Sequence, residues 1–153
     1  MDTYRPEIFN EIADILLESK KLMEIERWDQ FELDLSTPFD KANDVYKQIK
    51  DKIGNDTTGV YAIFNEKQCL YIGKGMRVWQ RVKDHYKAAH LKPVNDHVRA
   101  IRWIRFFSKH RGMVKVYWKK YRYLENKTLD NKLRELYEHI LQVKYRPAFE
   151  QFS

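Results

Sequence analysis

The chain has 153 residues, 43% apolar and 14% aromatic: about one domain, with enough apolar surface for a core and too many rings for a disordered tail. Its formal charge is +7, no apolar run approaches the roughly 20 residues that cross a bilayer, and the acidic N-terminus lacks a signal-peptide layout. The single cysteine, Cys69, excludes an internal disulfide and fits a reducing compartment, and no Cys/His cluster has zinc spacing, so a cytoplasmic protein without a membrane partner is expected.

The first expected element is a helix over 6–24, where Ile8, Ile12, Ile15, Leu16 and Leu22 recur at helical spacing and Pro6 suits a first turn. A second helix is expected from an N-cap at Ser36 or Thr37, through Ala42, Val45, Tyr46, Ile49 and Ile53, to a stop at Gly54. The stretch 55–58 then reads as the boundary that closes this acidic arm. Beyond it 59–64 reads as a strand, 65–67 as a turn and 69–72 as a second strand, which makes a hairpin. A helix over 76–91 is succeeded by one that Pro93 opens and that reaches Lys109. Arg111-Gly112 breaks the pattern, 113–121 is rich in Val, Tyr and Trp and reads as a strand, and a last helix spans 129–143 before Pro147. The layout is α+β, with a helical extension over 1–57 and a second unit over 58–153.

Charge is segregated along the chain. Residues 1–56 carry 14 Asp/Glu against 8 Lys/Arg, whereas 74–122 carry 15 Lys/Arg against only Asp84 and Asp96. Lys74, Arg77, Arg81, Lys83, Lys87, Arg99 and Arg102 share the basic block with Trp79, Trp103, Phe106 and Phe107. Interleaved cations and rings are what a surface needs to displace counterions from a phosphate backbone, so nucleic acid is the expected partner. The acidic arm is expected to stay off that partner and to bury its apolar faces on the core or on a second copy of the chain, as a homodimer.

Two helices hold the candidate chemistry. After the hairpin, Val78, Val82, Tyr86 and Ala89 form one apolar stripe; His85 falls inside it and Arg81, one turn earlier, on its edge. A lone His there is most often a hydrogen-bonded core residue, but an Arg and a His stacked beside apolar packing also suit a cleft that holds an anion. In the last helix Leu133, Leu136, Tyr137, Ile140 and Leu141 face one way; Glu138 flanks that stripe and Glu135 points away. Alternating Tyr61 and Tyr71 are by themselves ordinary β packing, and Trp79 and Trp103 are assigned to the core or at most to stacking.

Gly59-Val60-Tyr61, with Tyr71-Ile72-Gly73 ten residues later, resembles the paired tripeptides that name the GIY-YIG nuclease superfamily. The family places an Arg eight and a His twelve residues after the last Gly, where Arg81 and His85 stand, and a Glu nine residues before a Pro, as in Glu138 and Pro147. The resemblance covers about 58–149 and implies a three-stranded antiparallel sheet with flanking helices and a divalent-metal-dependent endonuclease of restriction or phage/mobile-element type. It further implies DNA as substrate, with RNA as the alternative. By the same resemblance Glu138 holds Mg²⁺ (or Mn²⁺), Arg81 grips the scissile phosphate, Tyr61 is the base with His85 assisting proton transfer, and Tyr71 positions. A free phenol is only about 0.1% ionised at neutral pH, so Tyr61 as base calls for a cationic pocket that lowers its pKa by about three units. One position departs: the family often has Asn where this chain has Glu150, twelve residues after Glu138. Two other readings stand beside the nuclease: a nucleic-acid-binding module of the same fold without cleavage, and an interaction protein whose acidic arm pairs with its own basic face.

Overall fold

A computed structural model describes residues 24–66, 68–91, 101–120 and 124–151. The helix expected over 6–24 lies outside the described residues but for its last position, as do Arg99 and the helix start expected at Pro93.

The hairpin forms where the β-branched and aromatic residues predict it. Strand β2 (Gly59–Phe64) pairs antiparallel with β3 (Cys69–Gly75), and β4 (Met113–Lys120) pairs with the other side of β2. A fourth strand, β1 (Asp29–Asp34), pairs antiparallel with β4, giving the order β1-β4-β2-β3. Among the described residues the sheet is therefore four-stranded rather than three-stranded, and the segment ahead of Thr58 is not purely helical. The strand leaves little trace in the sequence because only Phe31 and Leu33 of its six residues are buried, while Asp29, Gln30 and Glu32 are exposed. Such charges on an outer strand are a usual means of discouraging further pairing.

Between β1 and β2 the chain makes one 3-10 turn (Phe39–Lys41) before helix α1 (Ala42–Ile53). The start expected at Ser36 or Thr37 is corrected: the side chain of Asp34 accepts hydrogen bonds from both the backbone N–H and the hydroxyl of Ser36, which closes a turn there instead. Ala42, Val45, Ile49 and Ile53 bury one face of α1, and Gly54 ends it at φ 99°, donating its N–H to the Lys50 carbonyl at 2.8 Å. Helix α2 (Val78–His90) starts where the Val78 N–H donates to the Thr57 carbonyl at 2.9 Å. Helix α3 (Ile101–Ser108) packs on α2, and the long α4 (Lys127–Tyr145) is N-capped by Asn126, whose side chain accepts from the Leu129 N–H at 3.1 Å. Arg146, in the left-handed region at φ 45°, closes α4, and Pro147 leads into the short α5 (Ala148–Gln151).

The sheet separates two apolar layers. On one face Phe31, Leu33, Tyr61, Ile63, Val114 and Val116 pack against α1, α2 and α3. On the other, Val60, Ala62, Cys69 and Ile72 pack against Leu133, Tyr137 and Leu141 of α4, with Ile25 and Trp28. Leu136, expected in the same stripe of α4, is instead exposed, because the buried strip is narrower than its apolar residues suggest. A register shift at Ile63/Phe64 puts an extra residue in β3, so that Leu70 and Tyr71 both serve the first face. Among the described residues no helix is long and apolar enough to cross a membrane.

Leu33 is only 1% exposed, so Leu33→Ala is expected to lower unfolding stability by about 2–5 kcal/mol in a urea titration. A chain that begins at Asp56 loses β1 and α1, bares β4 and is expected to lose its cooperative transition. A full transition in that shortened chain would show that the described part of the arm is dispensable.

Candidate functional site

The register of the hairpin sets the site. Tyr61 and Gly73 are direct partners across β2 and β3, and a Cβ at position 73 would come within 2.8 Å of the Tyr61 hydroxyl and 2.7 Å of the Tyr71 ring. The bare strand lets both phenol rings lie on it, stacked at 5.9 Å. Two residues on, a Cβ at position 75 would meet Arg81 Cγ at 2.7 Å, so Gly75 is what admits the Arg81 stem from α2.

Arg81 and His85 stand one turn apart on α2, as their spacing predicts. His85 is fully buried, and its Nε2 lies 2.8 Å from the Tyr61 hydroxyl, itself fully buried. Arg81, half-buried, acts electrostatically on both phenols. The Tyr61 hydroxyl and Nε2 share one hydrogen, and the imidazole tautomer sets which of them donates. His85 Nδ1 meets no hydrogen-bond partner among the described residues. Rings enclose it instead: Trp103 stacked at 4.0 Å, Phe107 at 4.4 Å and Tyr71 at 4.6 Å.

Glu138 comes from α4, on the opposite side of the sheet. Strand β3 is an edge strand and α4 packs along it, so the half-buried Glu138 carboxylate acts electrostatically on Tyr61, Tyr71 and Arg81 from beyond that edge. Gln142, one turn later, donates to Glu138 Oε1 at 3.5 Å. Glu135 is exposed, as its place on the helix predicts, and pairs loosely with Lys74 at 3.8 Å. Between β3 and α4 lies a cleft of about 240 Å³, lined by Lys74, Gly75, Met76, Asn131 and Arg134.

Burial dominates the electrostatics. It raises the Tyr61 phenol well above its ordinary value near 10, further helped by Tyr71, and Arg81 pulls back only part of the way. Desolvation of the phenolate outweighs the one guanidinium beside it, so Arg81 alone does not lower the phenol. Tyr71, partly exposed, is raised for the same reason. Burial and then Arg81 push the His85 imidazole well below its usual value, so it rests neutral. The Glu138 carboxyl is raised by burial and by Glu150, while Lys74, His139 and Arg81 act the other way.

The basic residues divide. Lys74 and Arg81 border Glu138, and Arg102 donates to the Phe149 carbonyl and lies over its ring at 4.3 Å, beside Tyr71. Arg77 is exposed just ahead of α2. Lys83 turns away toward α1, over Tyr46 and Trp79, with Lys87 one turn along the same side. Sequence reasoning leaves Trp103 and Phe149 out of the site. Both lie far along the chain from the residues they cover, and only the place of Trp103 among basic residues hints at more than core packing. Glu150, the departure from the family pattern, sits near enough to raise both Glu138 and Tyr71.

No protein-family model matches the chain, and no curated protein matches it. Among solved structures, the GIY-YIG N-terminal endonuclease domain of UvrC from Thermotoga maritima, bound to its catalytic divalent cation magnesium, is similar over 67% of this chain and 96% of that one, at 21% identity and a TM-score of 0.42. A point mutant of the same domain, bound to its catalytic divalent cation, is similar over the same shares at 19% identity and a TM-score of 0.42. Likeness at that level says nothing of the site, which stands on this chain's own residues.

His85 gives the fold a pH dependence. The unfolded imidazole protonates near pH 6.5, and the folded one only at lower pH, so below about 6.5 the unfolded chain binds more protons. Its contribution to stability is full above that value and is lost as pH falls toward the folded pKa. Urea midpoints at pH 7.5 and 5.5 are expected to fall less in His85→Phe than in the parent; equal falls would place the acid sensitivity elsewhere.

Proposed function

We propose that this chain is a divalent-metal-dependent endonuclease of the GIY-YIG type that hydrolyses DNA phosphodiester bonds. The observation that carries the reading is the convergence, over one glycine-bared strand edge, of a neutral phenol–imidazole pair, a guanidinium and a desolvated carboxylate. The paired tripeptides and the downstream spacings support it independently.

A hard cation fits this donor set. Glu138 is half-buried without full compensation, with Glu150 near it, and the described residues hold no group of three metal-ligating side chains. Mg²⁺ suits such a site because one or two carboxylates suffice when water and phosphate oxygens complete the shell. When bound, Mg²⁺ or Mn²⁺ supplies charge stabilisation for the phosphate and the leaving oxygen. The chain's own residues do the rest. Arg81 grips the scissile phosphate with two donors. Tyr61 takes a proton from the attacking water as its own passes to His85 Nε2, and Tyr71 holds Arg81 in line. Lys74, Arg77 and Arg102 meet the flanking backbone, and Lys83 and Lys87 extend the basic face along α2.

Plasmid nicking with Mg²⁺ tests the assignment. Glu138→Ala is expected to abolish cleavage with folding and DNA binding nearly intact, whereas Glu135→Ala, one turn away, stays close to the parent rate. Full activity in Glu138→Ala would remove it from the site. Arg81→Ala and Tyr61→Phe are each expected to slow turnover by about a hundredfold or more. Only Tyr61→Phe should change the shape of the pH–rate profile, and an unchanged profile there would take Tyr61 out of the proton path.

A further inference from the structure

Trp103 has no role in the chemistry assigned above, yet its ring touches three of the residues that do. It stacks on His85 at 4.0 Å and 26°, meets the Tyr71 ring edge-on at 4.9 Å, and lies 5.5 Å from the Arg81 guanidinium carbon. The titratable and charged groups that face His85 are Tyr61 from β2, Tyr71 from β3 and Arg81 from α2; helix α3 presents only the rings of Trp103 and Phe107. Among the described residues no carboxylate meets His85 Nδ1, the position at which histidine relays commonly hold an anion that stabilises the imidazolium. The charge that His85 gains on accepting a proton therefore needs another source of stabilisation. The face of an indole is the negative end of its quadrupole, and in a desolvated setting it attracts a stacked cation.

We propose that Trp103 is a positioning residue of the proton path, its indole face fixing the His85 ring against Tyr61 and stabilising the imidazolium formed there. The step balances. The Tyr61 O–H bond breaks and an Nε2–H bond forms, which leaves the positive charge on His85 against the indole and the phenolate against Arg81. The phenolate then takes the proton of the attacking water, whose oxygen bonds to phosphorus as the leaving oxygen departs with its electron pair. This inference rests on the nuclease reading for the step itself, whereas the effect of Trp103 on imidazole protonation does not.

The experiment uses the full chain with Trp103→Leu, Trp103→Phe and a polyfluorinated tryptophan placed at 103 alone, which keeps the shape and depletes the π face. Two readouts are taken: Mg²⁺-dependent plasmid nicking against pH, and NMR titration of the His85 imidazole in metal-free protein. In Trp103→Leu kcat is expected to fall about thirtyfold with KM little changed, the ratio that a desolvated cation–π contact of ~2 kcal/mol represents. The acid limb of its pH profile and the His85 titration both move to lower pH. Trp103→Phe restores much of each, and the fluorinated ring reproduces the leucine effect even if the leucine variant does not fold. An acid limb and a titration that stay put with the fluorinated ring would overturn the proposal. A parent chain that does not nick DNA, with the titration shifts as expected, would refute the nuclease reading and leave the indole–imidazolium contact standing.

Discussion

The ring of Tyr61 lies across a strand position that has no side chain, and the rest of the site depends on that overlap. Any Cβ at position 73 would lift both phenols off the hairpin. With the rings flat, the Tyr61 hydroxyl reaches His85 on the helix above, and Arg81 acts on both tyrosines. The glycines thus act on the chemistry through the space they leave, more than through unusual backbone angles: neither Gly73 nor Gly75 has positive φ.

The resting pocket is nearly neutral at its centre. Ordinary phenol and imidazole values already lie about 3.5 units apart, so moving a proton from Tyr61 to His85 costs about 5 kcal/mol before burial widens the gap. Both shifts run in the widening direction. Desolvation therefore keeps the pair neutral until something carrying charge enters. It also explains why so many rings gather there: an imidazole with one unpartnered nitrogen tolerates flat apolar neighbours better than it tolerates a second cation.

Most of the site is legible in the sequence because its parts are local. Tyr61, Tyr71, Arg81 and His85 lie within 25 residues, on a hairpin and the helix after it, where periodicity and motif spacing speak directly. The half-buried Glu138 and the exposed Glu135 sit where a helical wheel puts them, since that wheel needs no tertiary information. Relations between distant segments are harder to read. β1 has two buried residues in six, too few for alternation to register, and its partner β4 lies some 80 residues away. The direction of the Tyr61 shift escapes the sequence for a similar reason: counting nearby cations gives the Coulomb contribution, while burial depends on packing that only the assembled layers supply.

Cys69 opens the same edge strand that carries Tyr71 and Gly73. It is 4% exposed, its sulfur lies 3.8 Å from the Tyr71 carbonyl, and burial pushes its thiol up to about 12. A thiol so placed is almost never ionised at neutral pH and is shielded from reagents while β3 stays docked. The chain consequently carries a native clock for the opening of its own site. The rate at which a small alkylating reagent captures that one sulfur counts the excursions in which the strand lifts, without any label having to be introduced.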